Sequence, residues 1–174
     1  GLGDVYKRQI QDGTVTVGKW IKTIYEILVN GLKSGKWDFD EEKANKAINF
    51  IENFCHHSEG RNDLLKLELW QKAIVSAIFG VMDKRTGYRQ FREVFIVVAR
   101  KNGKTLFAAA IAAYMAYIDG EYGAKVYFLA PKLDQADLVY DAFYQIVQAD
   151  DELDSITKKR RSDIYIKEFN TSVK

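Results

Sequence analysis

The chain has 174 residues, 47% of them hydrophobic and 13% aromatic, and its 26 basic and 24 acidic side chains leave a formal net charge of +2. That supplies enough apolar material for a folded domain, and it excludes both an acidic disordered chain and a protein that meets nucleic acid through a global basic field. A single cysteine, Cys55, excludes an internal disulfide framework and fits a reducing, cytosolic interior, while the uncharged stretch at residues 106–118 is too short to span a bilayer.

The first nine residues, GLGDVYKRQ, have neither a signal-peptide apolar core nor helical periodicity, so residues 1–16 are expected to be a disordered or non-native tail. An all-helical segment is expected over 17–60. In residues 20–32 the apolar positions Trp20, Ile21, Ile24, Leu28 and Leu32 recur at helical spacing, with Gly31 and Gly35 at the end. In DFDEEKANKAINFIENFC the stripe Ala44, Ala47, Ile48, Ile51, Phe54 and Cys55 predicts a second helix, with Asp38 and Glu41 spaced as a capping box. After the polar loop HHSEGRND, LELWQKAIVSAIFG places Trp70, Ala73, Ile74, Ala77 and Ile78 on one face of a third helix.

The pattern changes at Phe91. EVFIVVA, residues 93–99, is a β-branched and nearly continuous apolar run, the pattern of a strand buried on both faces of a parallel sheet. A glycine-bearing loop leads to a helix over 104–118, and KVYFLA predicts a second buried strand. A further helix follows, with Ala136, Val139, Phe143 and Ile146 on one face. Strand, helix, strand, helix implies right-handed βαβ units. The fold class is therefore α/β, with helices flanking a parallel sheet in 61–174 and the all-helical segment before it. The end, IYIKEFNTSVK, reads as a strand that leads into more protein.

Between the first strand and its helix stands VVARKNGKT. Gly-Lys-Thr alone is weak, but a strand-loop-helix setting is what a phosphate-binding loop requires. At a helix N-terminus several N–H groups lack partners and the macrodipole is positive, so phosphate oxygens are favoured there. Gly103 allows close approach of the backbone, Lys104 reaches the β- and γ-phosphates, and Thr105 offers a hydroxyl to Mg²⁺. The ordinary loop has a glycine where this chain has Val98, and it keeps small residues where this chain has Arg100, Lys101 and Asn102. Two more cations beside Lys104 are tolerable if a polyphosphate sits among them, or if their side chains point into solvent.

On these residues the chain resembles the large subunit of tailed-phage terminases, whose nucleotide loop is a deviant form carrying Arg-Lys-Asn-Gly-Lys-Ser/Thr. The resemblance extends upstream through KAINFIE, LELWQKAIVSAIFG and FRE, and downstream through DGEYGAKVYFLAPKLDQAD. It implies a P-loop ATPase core that binds ATP and Mg²⁺, Arg100 near the γ-phosphate beside the catalytic Lys104, and adenine contacts from Trp70 or Gln71. It implies as partners double-stranded viral DNA, a portal protein, a terminase small subunit and further copies in a ring, all in the bacterial host cytoplasm. For Trp70 the residues alone equally allow core packing.

An ATPase of this kind also needs an apolar strand ending in Asp-Glu. None follows the loop, and DDE at 150–152 comes after a helix, so the chain is expected to stop before that strand, to hydrolyse nucleotide poorly alone and to lack a nuclease domain. Weaker features are Cys55, His56 and His57 near Glu59, which lack the second ligand pair of a zinc site, the basic run Lys158, Lys159, Arg160 and Arg161, and Gln135. A helicase-like translocase and a non-catalytic nucleotide-binding or assembly module remain alternatives.

Overall fold

The computed structural model describes residues 8–10, 12–57 and 60–174. Part of the expected tail therefore lies outside the described residues, as do Ser58 and Glu59. The chain divides into two compact units: Gly1–Asn49 with Leu67–Ile96, and Phe50–Lys66 with Val97–Lys174.

In the first unit, helix α1 spans Lys19–Lys33, as its periodicity predicts. Its apolar stripe is not core, however: Trp20, Ile21 and Ile24 are exposed, and only Gly31 is buried. Gly31 is needed because a Cβ there would overlap the ring of Trp37. Gly35, at φ 69°, ends the helix in the left-handed conformation that glycine adopts without a steric penalty.

Residues 38–39, expected at the start of the second helix, instead lie in strand β1, Trp37–Phe39. It pairs antiparallel with β2, Val81–Asp83, with Asp38 opposite Met82. Helix α2, Glu41–Phe54, therefore starts later, and Asp40 caps it by accepting the Lys43 N–H at 2.9 Å. Asp38 lies in the strand, so the expected capping box is not formed. Helix α3, Leu69–Gly80, buries Gln71, Ala73, Val75, Ser76 and Phe79. Of the expected face only Ala73 is buried along its length near the start, while Trp70, Ile74, Ala77 and Ile78 differ in exposure from it. This helix is apolar all round, so periodicity cannot choose its inner face.

In the second unit the end of α2 buries Phe50, Ile51 and Cys55, and Phe50 meets Tyr114 edge to face at 5.7 Å. Helix α4, Lys104–Tyr114, continues into a π-helical turn, Met115–Asp119. It buries Phe107 and the alanines Ala109, Ala110, Ala112 and Ala113. Helix α5, Leu133–Gln148, buries Phe143, Ile146 and Val147. A short helix α6, Asp151–Ile156, follows.

The sheet of this unit has four strands in the order β3-β6-β5-β4: β3 is Lys125–Val126, β4 is Thr157–Lys159, β5 is Ile164–Ile166 and β6 is Thr171–Val173. β3 runs parallel to β6, and the other two pairs are antiparallel. The mixed α/β class is as expected, but the pairing is not. β3 takes β6 as neighbour instead of residues 93–99, so the expected βαβ ladder is absent among the described residues. Residues 93–99 form no strand, and most of their side chains face solvent, Phe95 at 93% and Val97 at 81%. An apolar run becomes a buried strand only when other strands satisfy its N–H and C=O groups on both edges, and none of the described residues does so.

Candidate functional site

The loop before α4 is shaped by two left-handed residues, Lys101 at φ 66° and Gly103 at φ 65°. For Gly103 this conformation carries no steric penalty; for Lys101 it is uncommon in an L-residue and marks a constrained loop. Between them Asn102 donates its side-chain amide to the carbonyls of Ala99 at 3.2 Å and Arg100 at 3.4 Å. The Asn102 side chain thus braces the turn. Gly103 is the N-cap of α4, and its carbonyl accepts the first helical bond from the Phe107 N–H at 2.9 Å. Among the described residues no side chain caps this end. The N–H groups of the first turn are left to an outside acceptor.

Charge reinforces this geometry. Arg100, Lys101 and Lys104 are exposed, and among the described residues no carboxylate lies within ion-pair distance of any of them. Thr105 is half-buried at the second helical position. Three cations, a line of free N–H groups and the positive end of a helix dipole converge on one short loop, the electrostatics that suits a polyanion.

The other expected contacts, Trp70 and Gln71, begin α3 and belong to the first unit. Gln71 acts locally, where its Oε1 accepts the Glu68 N–H at 2.9 Å and closes a capping box at the start of α3. The spacing Glu68-x-x-Gln71 carries that signal, although glutamate is not the usual N-cap residue.

The remaining features fall into place by local geometry. Asp150 caps α6, its Oδ1 accepting the N–H groups of Glu152 and Leu153 at 3.0 Å each, so DDE at 150–152 is a helix start. The basic run lies on β4 and the turn to β5. There Arg160 grips Asp163 through two bonds of 2.7 and 2.6 Å, and Lys159 stands 4.1 Å from the centre of the Tyr144 ring. Asp163 is buried, and the Arg160 guanidinium holds its carboxyl below the usual carboxylate range. Burial pushes the Cys55 thiol up to about 12. His57 Nε2 lies 2.8 Å from the Arg61 guanidinium. Gln135 is exposed in the first turn of α5. No helix among the described residues is long and apolar enough to cross a membrane.

Residues 69–174, more than half of the chain, match the family described as terminase large subunit, ATPase domain. The crystal structure of the HK97 bacteriophage large terminase is similar at a TM-score of 0.65 and 23% identity, over 76% of this chain and 26% of that one. This chain therefore spans about a quarter of the length of that terminase, and the likeness is one of fold. A comparison with curated proteins gives no match. The braced, cation-rich loop ahead of α4 lies inside the matched region, and the chain belongs to the terminase large subunit ATPase domain family.

Proposed function

We propose that residues 100–105 hold the phosphates of ATP, and that the chain is the nucleotide-binding part of a motor that couples ATP hydrolysis to movement of double-stranded viral DNA into a procapsid. The observation that carries the reading is the loop itself: two left-handed residues and three cations without carboxylate partners among the described residues, at a helix N-terminus. Lys104 is assigned to the β- and γ-phosphates, and Arg100 to the charge that develops on the γ-phosphate. The backbone of Lys101, Asn102 and Gly103 lines the phosphate cradle. Thr105 offers a hydroxyl to Mg²⁺, which would take its remaining ligands from phosphate oxygens and water, as this ion usually does.

On the family resemblance of the start of α3, Trp70 and Gln71 are assigned to the adenine base. Because Gln71 Oε1 is engaged by Glu68, Gln71 would read the base through its Nε2 donor. Residues 61–174 are taken as the ATPase core and 17–60 as the helical segment before it. The portal protein, the terminase small subunit, a ring of copies and the bacterial host cytoplasm belong to the same reading.

Titration calorimetry of the chain with MgATP tests the assignment. Binding is expected, weakened about tenfold or more in Lys104→Ala through loss of a charge-assisted phosphate contact. Adenosine without phosphates should bind far more weakly than ATP. Equal affinities of wild type and Lys104→Ala, or of ATP and adenosine, would overturn it.

A further inference from the structure

The helix that starts at the loop, α4, ends in the π-helical turn Met115–Asp119, an uncommon element that often marks a functional position in a helix. The turn carries Tyr117, whose side chain is buried and whose ring stacks on Phe143 at 6.3 Å and 15°. Its hydroxyl lies 2.6 Å from the hydroxyl oxygen of Thr157. Thr157 donates its own proton to the Leu153 carbonyl at 2.6 Å. A threonine hydroxyl has one proton, so Tyr117 must be the donor in the pair and Thr157 the acceptor. Burial keeps the Tyr117 hydroxyl protonated, and therefore able to donate, well above neutral pH.

Thr157 is the first residue of β4. Lys158 and Arg161 follow it with exposed side chains, and the Arg160–Asp163 clamp closes the turn into β5. The hairpin is thus braced at its tip and tied at its base to the far end of the loop helix. Between the two ends α4 buries Phe107, Tyr114 and four alanines, so its two ends are joined by one packed element.

We propose that Tyr117 is a positioning residue: its hydrogen bond to Thr157 ties the helix that begins at the phosphate loop to the basic hairpin β4–β5, so that filling of the loop sets the placement of Lys158 and Arg161. This rests on the reading that residues 100–105 bind nucleotide. A hydrogen bond between two part-buried hydroxyls transmits a shift along α4 better than apolar contact alone, because it is directional and costly to leave unmade.

Hydrogen exchange of peptides covering 157–166, measured on the chain with and without MgATP, provides the test. In the wild type nucleotide is expected to change exchange in this hairpin by about threefold or more, as local opening responds to a ligand bound elsewhere. Tyr117→Phe keeps the ring on Phe143 and should keep nucleotide affinity within about twofold, but lose the change at the hairpin. Thr157→Val should behave alike, the double variant no worse, and Thr157→Ser, which retains the hydroxyl, should behave as wild type. A purely structural role would lower the melting temperature of Tyr117→Phe and leave the nucleotide-dependent change intact, which overturns the proposal. Binding without any change at the wild-type hairpin overturns the proposal alone. Failure of the wild type to bind nucleotide overturns the loop assignment and the proposal with it.

Discussion

Lys101 and Gly103 share one backbone conformation, φ 66° and 65°, on either side of an asparagine that braces the turn. For the lysine the arrangement costs stability, because an L-residue in the left-handed region brings its Cβ close to a carbonyl oxygen. Lys101→Gly should therefore stabilise the chain by about 0.5–1 kcal/mol, after allowing for the extra freedom of glycine in the unfolded state. The same change removes a cation and should weaken ATP binding. Opposite signs in a melting experiment and a titration are the expected result; a loss in both would show that Lys101 is not strained.

Arg100 is assigned to charge that grows as the γ-phosphate departs, so its contact should strengthen on the way to the transition state. Where ATP hydrolysis is measured, Arg100→Ala is expected to lower kcat by about a hundredfold or more while changing nucleotide affinity only a few-fold. Steady-state kinetics and a binding titration separate the two quantities. Equal losses in both would make Arg100 a simple phosphate contact.

The Arg160–Asp163 pair should leave a pH signature. Asp163 is held below its ordinary value of 3.8 first by the hydrogen bonds from Arg160, so the pair stabilises the fold above that pH and loses its contribution as pH falls through the folded-state value. Asp163→Asn should lower the melting temperature by on the order of 5 °C at neutral pH. The gap should close in strong acid. A difference that persists unchanged in acid would assign the loss to packing.

Gly31 lies against Trp37, where a Cβ would meet the indole ring. Gly31→Ala improves helix propensity in α1 yet forces the ring to move, and overpacking of this kind costs about 1–3 kcal/mol. Chemical denaturation should show net destabilisation. A stabilised variant would mean that Trp37 relocates freely.

Several elements were legible in the sequence because their cause is local. The stripes of α2 and α5 sit where 3.6-residue spacing puts them, and the start of α4 follows from Gly103, Lys104 and Thr105. The loop was legible for the same reason: its residue types matter one by one, and neighbours in sequence are neighbours in space. Asn102 shows the limit of such reading, since only the folded loop shows its amide turned inward to the carbonyls of Ala99 and Arg100.

What the sequence by itself determined, then, is the helices around the loop and the α/β class. Tertiary structure alone decided the partners. β1 lies against β2 across about forty residues, β3 chooses β6, and Tyr117 finds Thr157, each by a contact that no short window of sequence contains. The exposed run at 93–99 is the clearest case: its composition specifies an affinity for burial, but burial also requires hydrogen-bonding neighbours on both edges, and that is a property of the assembled sheet and not of the strand.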